Sequence, residues 1–502
     1  MFKQKALLFV YAISSAATFS YAQSSPTVTP AELQTDKSQD PKVQEIYVTG
    51  SRIPRASKEG PTSVTVITGS DMEKQGYRNA FDALSAQTQN TGMTQGEDFG
   101  NTFTPAANTI SLRGLGPNHT LILINGRRVA DYPVAYEGGV NFVNLANIPS
   151  ALIDRIEILN SGASAIYGSD AIAGVVNIIL KKSITGFDIN VKAGGTQAGG
   201  GSNQRIQLSG GGTSGNLTGL FGIEISKRQP IWSRQRDFMS DKTLDGTSPR
   251  RTNSQLNVDT GKYITPDCGQ LGGLYSNSLV SVSSKKGTYC GSGKAAPTYW
   301  TTQTENKSEN LYGALRYQLS PKTEIFSDLM LGFNTTKNNT RGPSWTSEVA
   351  GNGYFYNQNT GNNEAWYRRI APEEIGGAER FNKKWDDTSA NWSAGIRGDI
   401  PGSTWNYEAA YNISGYSSRK TVPLLLKSVD SFFLGPKLGV NSDGIAIYAP
   451  DAKRFYQALT PSQFNAFTGE STSHDKSWTQ TASLSGHGEL FDLPAGTVKM
   501  AA

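Results

Sequence analysis

Leu152-Ile-Asp-Arg-Ile-Glu-Ile-Leu-Asn-Ser-Gly-Ala-Ser-Ala-Ile-Tyr-Gly-Ser-Asp-Ala-Ile-Ala-Gly-Val-Val-Asn-Ile-Ile-Leu180 is the stretch whose reading decides the fold. Within it, Arg155-Ile-Glu-Ile-Leu159 alternates Ile156 and Ile158 with Arg155, Glu157 and Leu159, the period of two that a half-buried strand requires. The chain then turns through small residues, with Gly162, Gly168 and Gly174 spaced where the backbone must bend or pack closely. Val175-Val-Asn-Ile-Ile-Leu180 is apolar on both faces except for Asn177, which predicts a strand buried on both sides. Lys181-Lys182 return the chain to solvent. On periodicity alone, this is the β-hairpin core of an α+β domain.

The residues upstream supply the rest of such a domain. Ser63-Val-Thr-Val-Ile67 reads as a strand, and Ser70-Asp-Met-Glu73 has the spacing of a capping box with Ser70 as N-cap and Glu73 reaching back. Asn79 with Asp82 opens a second helix carrying Phe81 and Leu84 on its apolar face. Residues 90–109 are polar and glycine-bearing, a loop, and Thr109-Ile-Ser-Leu-Arg-Gly114 alternates as a strand. Leu121-Ile-Leu-Ile-Asn-Gly-Arg-Arg-Val-Ala130 predicts a hairpin, because a type I′ turn needs positive φ at both central residues and Asn125-Gly126 tolerates it. Ile148-Pro149 begins a short helical turn with Pro149 at its first position. The predicted domain spans 60–182, within the ordinary single-domain range.

Further toward the N-terminus the texture changes. Residues 1–22 have the three parts of an export signal: Lys3 and Lys5, an apolar run from Ala6 to Phe19, and Ser20-Tyr21-Ala22 before Gln23. Residues 23–59 read as a disordered arm, rich in Ser, Thr, Pro, Gln and Asp over its first half. The arm contains Glu45-Ile46-Tyr47-Val48-Thr49-Gly50, whose β-formers suit either strand addition to another protein's sheet or the first strand of the domain.

Beyond Lys182 the chain becomes a series of alternating strands. Phe187, Ile189 and Val191 oppose Asp188, Asn190 and Lys192; Leu311, Leu315 and Tyr317 oppose Arg316 and Gln318; Tyr407, Tyr411 and Ile413 oppose Asn406, Glu408 and Asn412. One apolar and one charged face is the pattern of a transmembrane barrel with a wet interior, and a soluble sandwich shares it. Connection lengths separate the two. Ser320-Pro321-Lys322 and Ile400-Pro-Gly-Ser403 are short, whereas Lys227 to Glu309, Asn334 to Ser389 and Tyr416 to Ser477 are long and polar.

Composition excludes several classes. The formal net charge is +5, two units of it on the leader lysines, which argues for neither nucleic acid nor an acidic tail. High glycine (54 residues) and 10% aromatics behind an export signal suit an outer-membrane β-protein or a secreted β-solenoid. The three histidines, His119, His474 and His487, share no metal-ligand spacing, and no nucleophile elbow or phosphate loop occurs. No cofactor is expected. Cys268 and Cys290, together in one polar loop of an exported chain, read as a disulfide. Tyr263, Tyr275, Tyr289 and Tyr299 of that loop are expected to present contact area, or the loop simply shields the mouth.

The stretch from Arg155 to Asn177 resembles the end of the plug domain of TonB-dependent outer-membrane receptors. The resemblance rests on the strand with Arg155 and Glu157, the turn with Gly162, Tyr167, Gly168 and Gly174, and the Asn177-Ile178 strand. Arg113 and Gly114 of the Ile-x-Leu-Arg-Gly element and the Asn125-Gly126 turn extend it, and Glu45–Gly50 resembles the family's TonB box. It implies an α+β plug followed by an antiparallel transmembrane β-barrel, incomplete here, over 183–502. It also implies a nutrient transporter, not an enzyme, set in outer-membrane lipid and energised by TonB with ExbB and ExbD. A siderophore, cobalamin, carbohydrate or similar substrate fits equally. The competing class is a secreted β-rich adhesin or binding module. About nine strand candidates follow Lys182, against roughly 22 strands in the family's barrels, so a fragment or truncated product is expected.

Overall fold

The computed structural model describes residues 64–502 apart from Asn101, Phe103, Ser161, Gly162, Pro297 and Ala495. The export signal, the arm with Glu45–Gly50 and Gly162 of the turn lie outside the described residues.

The N-terminal part is a five-stranded mixed sheet. Its strands are β1 (Val64–Thr68), β2 (Thr120–Ile124), β3 (Arg127–Arg128), β4 (Ile153–Leu159) and β5 (Gly174–Leu180), in the order β1-β4-β5-β2-β3. β2 runs parallel to β5, and the other neighbours are antiparallel. Ile122, Ile156, Ile158, Val176 and Ile178 pack with Met72 of α1 (Gly69–Lys74) and Leu84 of α2 (Ala80–Ser85). A smaller cluster holds Leu121, Leu123, Leu159 and Val175. Clusters on both faces explain why β5 is buried as its apolar run predicts. They also correct the half-buried reading of β4, because Ile156 to Leu159 are all buried and Glu157 is only 1% exposed.

Three local expectations shift. Thr68, not Ser70, caps α1: its hydroxyl accepts from the Asp71 amide at 3.1 Å while the Asp71 carboxylate accepts from the Thr68 amide. The helix starts early because β1 runs straight into it and Gly69 sits against β4, where an added Cβ would stand 2.5 Å from the Ile153 carbonyl oxygen. Thr109 to Gly114 is not a continuous strand. Thr109 and Leu112 make isolated bridges to Gln95 and Asn90, and the chain turns at Arg113 (φ 56°) and Gly114 (φ 69°). Pro149 caps a 3-10 turn over Ser150–Leu152 instead of occupying its first position. The second helix does begin after Asn79, whose side chain accepts from the Asp82 amide at 2.9 Å.

The C-terminal part is a wall of nine antiparallel strands, each hydrogen-bonded to its neighbour in chain order. They are β6 (Gly186–Gly194), β7 (Asn203–Ser214), β8 (Leu217–Arg228), then Glu305–Ser320, Thr323–Asn338, Lys383–Asp399, Asn406–Leu425, Thr468–Leu493 and Gly496–Ala501. Its polarity is inverted. Glu224, Asn310, Arg316, Asp328, Asp387 and Asn412 are buried, while Phe187, Ile189, Val191, Ile225, Leu315 and Phe333 face outward, Phe187 at 78% exposure. A sheet in water would do the opposite. Apolar side chains outward and polar ones inward is what a bilayer demands of a strand wall.

Short turns join the strands at one end of the wall, as at Pro321-Lys322. The long connections at the other end are not separate polar loops. Segments from residues 229–304, 339–382 and 426–467 combine into a second nine-stranded sheet, which forms a cap. Trp345, Phe355, Trp366, Phe433, Phe455 and Phe464 build a core of its own. Cys268 and Cys290 are disulfide-bonded within it. Tyr275, expected to present contact area, is instead 2% exposed, with its hydroxyl donating to the Arg369 carbonyl at 3.2 Å. Tyr299 packs beside it, and Tyr263 meets Tyr289 edge-on.

Candidate functional site

The motif residues converge inside the five-stranded sheet. Asn125 (φ 50°) and Gly126 (φ 78°) form the predicted turn between β2 and β3. The turn is pinned to β5: the Asn125 amide donates to the Ile178 carbonyl at 2.9 Å, the Leu180 amide to Asn125 Oδ1 at 2.8 Å, and the Gly126 amide to Asn177 Oδ1 at 2.9 Å. Asn177 faces Glu157 across the β4–β5 ladder. Arg155 Nε donates to Glu157 Oε1 at 2.8 Å, which supplies the charge partner that a buried carboxylate needs.

Arg113 reaches a different place. It donates to the carbonyls of Ala173 and Ile172 at 3.1 and 2.8 Å and so holds the entry to β5. Arg128 donates to the Tyr167 carbonyl at 2.6 Å and pairs with Asp170, next to Gly168 at φ 85°. Gly174 (φ 143°) passes so close to β4 that an added Cβ would lie 2.4 Å from the Leu159 carbonyl oxygen. These residues are therefore a scaffold that fixes β2, β4 and β5 together. Gly126, Arg128 and Tyr167 also line a cavity of about 860 Å³ between the sheet and the wall, beside Arg127 and Glu408. Among the described residues no cluster of His, Cys, Asp or Glu could hold a metal ion.

The contacts that motif reading missed join the sheet to the wall. Arg228 on β8 pairs with Glu97 at 2.9 Å and Asp98 at 2.7 Å, and Asn306 donates to Glu97 at 2.9 Å. Burial, reinforced by Asp98, pushes the Glu97 carboxyl above the usual range despite Arg228. Arg127, beside the Asn125-Gly126 turn, pairs with Glu408 at 2.9 Å, and its guanidinium lies over Phe326. Glu224 accepts from the Ser150 amide and hydroxyl, and Asn144 and Asn147 both donate to the Tyr416 hydroxyl. The signal available in the sequence was the polar register of each wall strand, without its partners. The five-stranded sheet thus sits against the polar face of the wall and satisfies it, so this stretch of wall encloses protein where open water was expected.

Residues 56–175 match the family described as TonB-dependent Receptor Plug Domain. The chain is 31% identical, over 230 residues, to an iron-regulated outer membrane virulence protein of Vibrio cholerae; the match covers 43% of this chain and 32% of that protein. It thus spans about a third of the length of the curated relatives it matches. Among solved structures, the ferripyoverdine receptor of the outer membrane of Pseudomonas aeruginosa aligns with 90% of this chain and 43% of its own, at 13% identity and TM-score 0.48. The siderophore receptor PirA of Acinetobacter baumannii aligns with 86% of this chain and 46% of its own, at 16% identity and TM-score 0.43. The five-stranded mixed sheet held by these motif residues against the inward polar face of the antiparallel wall therefore lies in the part of the chain, residues 56–175, that matches the plug domain of TonB-dependent receptors.

Proposed function

We propose that the chain acts in the outer membrane as the plug and part of the barrel of a receptor that carries a scarce nutrient inward. The observation that carries this reading is the inverted wall, apolar outward and polar inward, with a plug seated on its polar face. A secreted adhesin or binding module would leave that apolar band in water. Transport of this kind breaks no bond in the cargo, so the reading assigns no catalytic residue. Glu45–Gly50 serves as the TonB box, pairing as an added strand with TonB, which ExbB and ExbD energise. The Vibrio cholerae relative is iron-regulated by name, and iron-bearing cargo is the first class to test.

Tyr47→Pro removes a ladder donor and blocks strand addition. The variant is expected to keep cargo binding and lose energised uptake of radioactive iron in iron-starved cells. Uptake at the wild-type rate would overturn the box assignment.

A further inference from the structure

Where the cap meets the wall there is a cavity of about 610 Å³ that the plug contacts do not use. Its lining includes the carbon of Phe381, Pro423 and Leu426 and the polar or charged Asn339, Thr340, Arg341, Lys383 and Lys427. Thr340 Oγ1 and Asn339 Oδ1 have no hydrogen-bond partner, although the two residues are only 6% and 2% exposed. A buried hydroxyl or amide oxygen left unpaired costs about 1–3 kcal/mol, and native folds leave few such atoms without a reason. Both residues belong to the cavity's lining, although these two oxygens are themselves closed to it.

Arg341 and Lys383 are in no ion pair among the described residues. A third cation, Lys420, stands on the neighbouring strand over the Trp385 ring. The carboxylate at the cavity, Asp430, is already taken: it accepts from the Trp345 indole at 2.7 Å, and burial pushes its carboxyl above the usual range. Uncompensated cations in a cavity also lined by apolar carbon exclude a metal cation, which they repel. They also disfavour a neutral sugar, which would leave the charges unpaired and the apolar carbon idle.

We propose that this cavity binds an amphipathic organic anion, its charged group held by Arg341 and Lys383 and its carbon skeleton by Phe381, Pro423 and Leu426. The assignment deepens the receptor reading by naming a cargo class, and rests on that reading for transport though not for binding.

The test is calorimetric titration of the full-length protein in a neutral detergent with 1-naphthalenesulfonate and, as its uncharged match, 1-naphthalenemethanol. The sulfonate is expected to fill one saturable site and the alcohol to bind at least about tenfold more weakly. Arg341→Gln and Lys383→Gln should each weaken the sulfonate by about tenfold and leave the alcohol unchanged. Lys383→Arg should retain sulfonate binding. Leu426→Asp, at a residue 41% exposed and therefore safe for folding, should weaken the sulfonate as well. Equal affinity for the two probes, or sulfonate binding indifferent to all three weakening substitutions, would overturn the site. The two failures are distinct. Uptake that survives Tyr47→Pro removes the coupling reading and leaves the anion site standing, whereas lost charge discrimination with uptake still stopped by Tyr47→Pro does the reverse.

Discussion

At the scale of single residues, two glycines with positive φ separate conformational need from close packing. Gly126 (φ 78°) has open space around its missing Cβ, so Gly126→Ala meets only the backbone penalty of about 1 kcal/mol. Gly174 (φ 143°) has the Leu159 carbonyl oxygen at 2.4 Å and Leu112 Cδ1 at 2.8 Å from that position. Gly174→Ala adds steric overlap to backbone strain and should cost roughly 2–4 kcal/mol. Hydrogen exchange of the β4 and β5 amides checks the difference, and equal exchange in the two variants would refute the close-packing argument. The Asn-Gly turn was legible because its conformational demand is local. The helix cap was not: Thr68-Gly-Ser-Asp71 and Ser70-Asp-Met-Glu73 offer overlapping boxes, and the choice is made by the approach of Gly69 to Ile153, a contact 84 positions away. The burial of Glu157 was not legible from the alternation of its strand, and Arg155 two residues earlier supplies its charge partner.

At the scale of elements, the wall strands were legible because each carries its own period of two. The cap was not. Its core aromatics are spread over three connections, Tyr275 in one, Trp345 and Trp366 in a second, and Phe433, Phe455 and Phe464 in a third, and no connection shows a continuous apolar period. Only when the wall brings the connections to one end can they bury those rings together. The disulfide then ties the 3-10 turn Cys268–Leu271 to the strand Gly287–Ser292, across a separation of 22 residues. Closing a loop of that size stabilises the fold by about 3 kcal/mol in the chain-entropy view. The double variant Cys268→Ser, Cys290→Ser should therefore speed amide exchange in Val280–Ser284 and Gly287–Ser292 and leave Glu305–Ser320 of the wall unchanged. Unchanged exchange in the cap would mean that its aromatic core holds these strands without the bridge.

At the scale of the whole molecule, the order of plug and wall and the inward direction of the polar face were readable from periodicity and motif. The pairing of plug to wall was not, because its partners are set by how the two parts dock: Glu97 meets Arg228, and Arg127 meets Glu408, across long sequence separations. Docking also creates the most testable pH effect. Burial raises the Glu97 carboxyl in the folded protein above its ordinary value of 4.5, with Asp98 adding to the effect and Arg228 opposing it. A carboxyl raised on folding binds its proton more readily in the folded state. Its stabilising contribution is complete below 4.5 and is lost as pH rises through the higher folded value. Glu97→Gln removes that titration while keeping an oxygen for Asn306 and Arg228. In urea titrations of plug–wall contact, followed by protease cleavage of the plug, the wild-type midpoint should fall relative to Glu97→Gln as pH is raised from about 4.5 to 7.5. A wild-type midpoint that rises against the variant over the same interval would mean that the Arg228 pair outweighs burial, and that ionised Glu97 holds the plug in place.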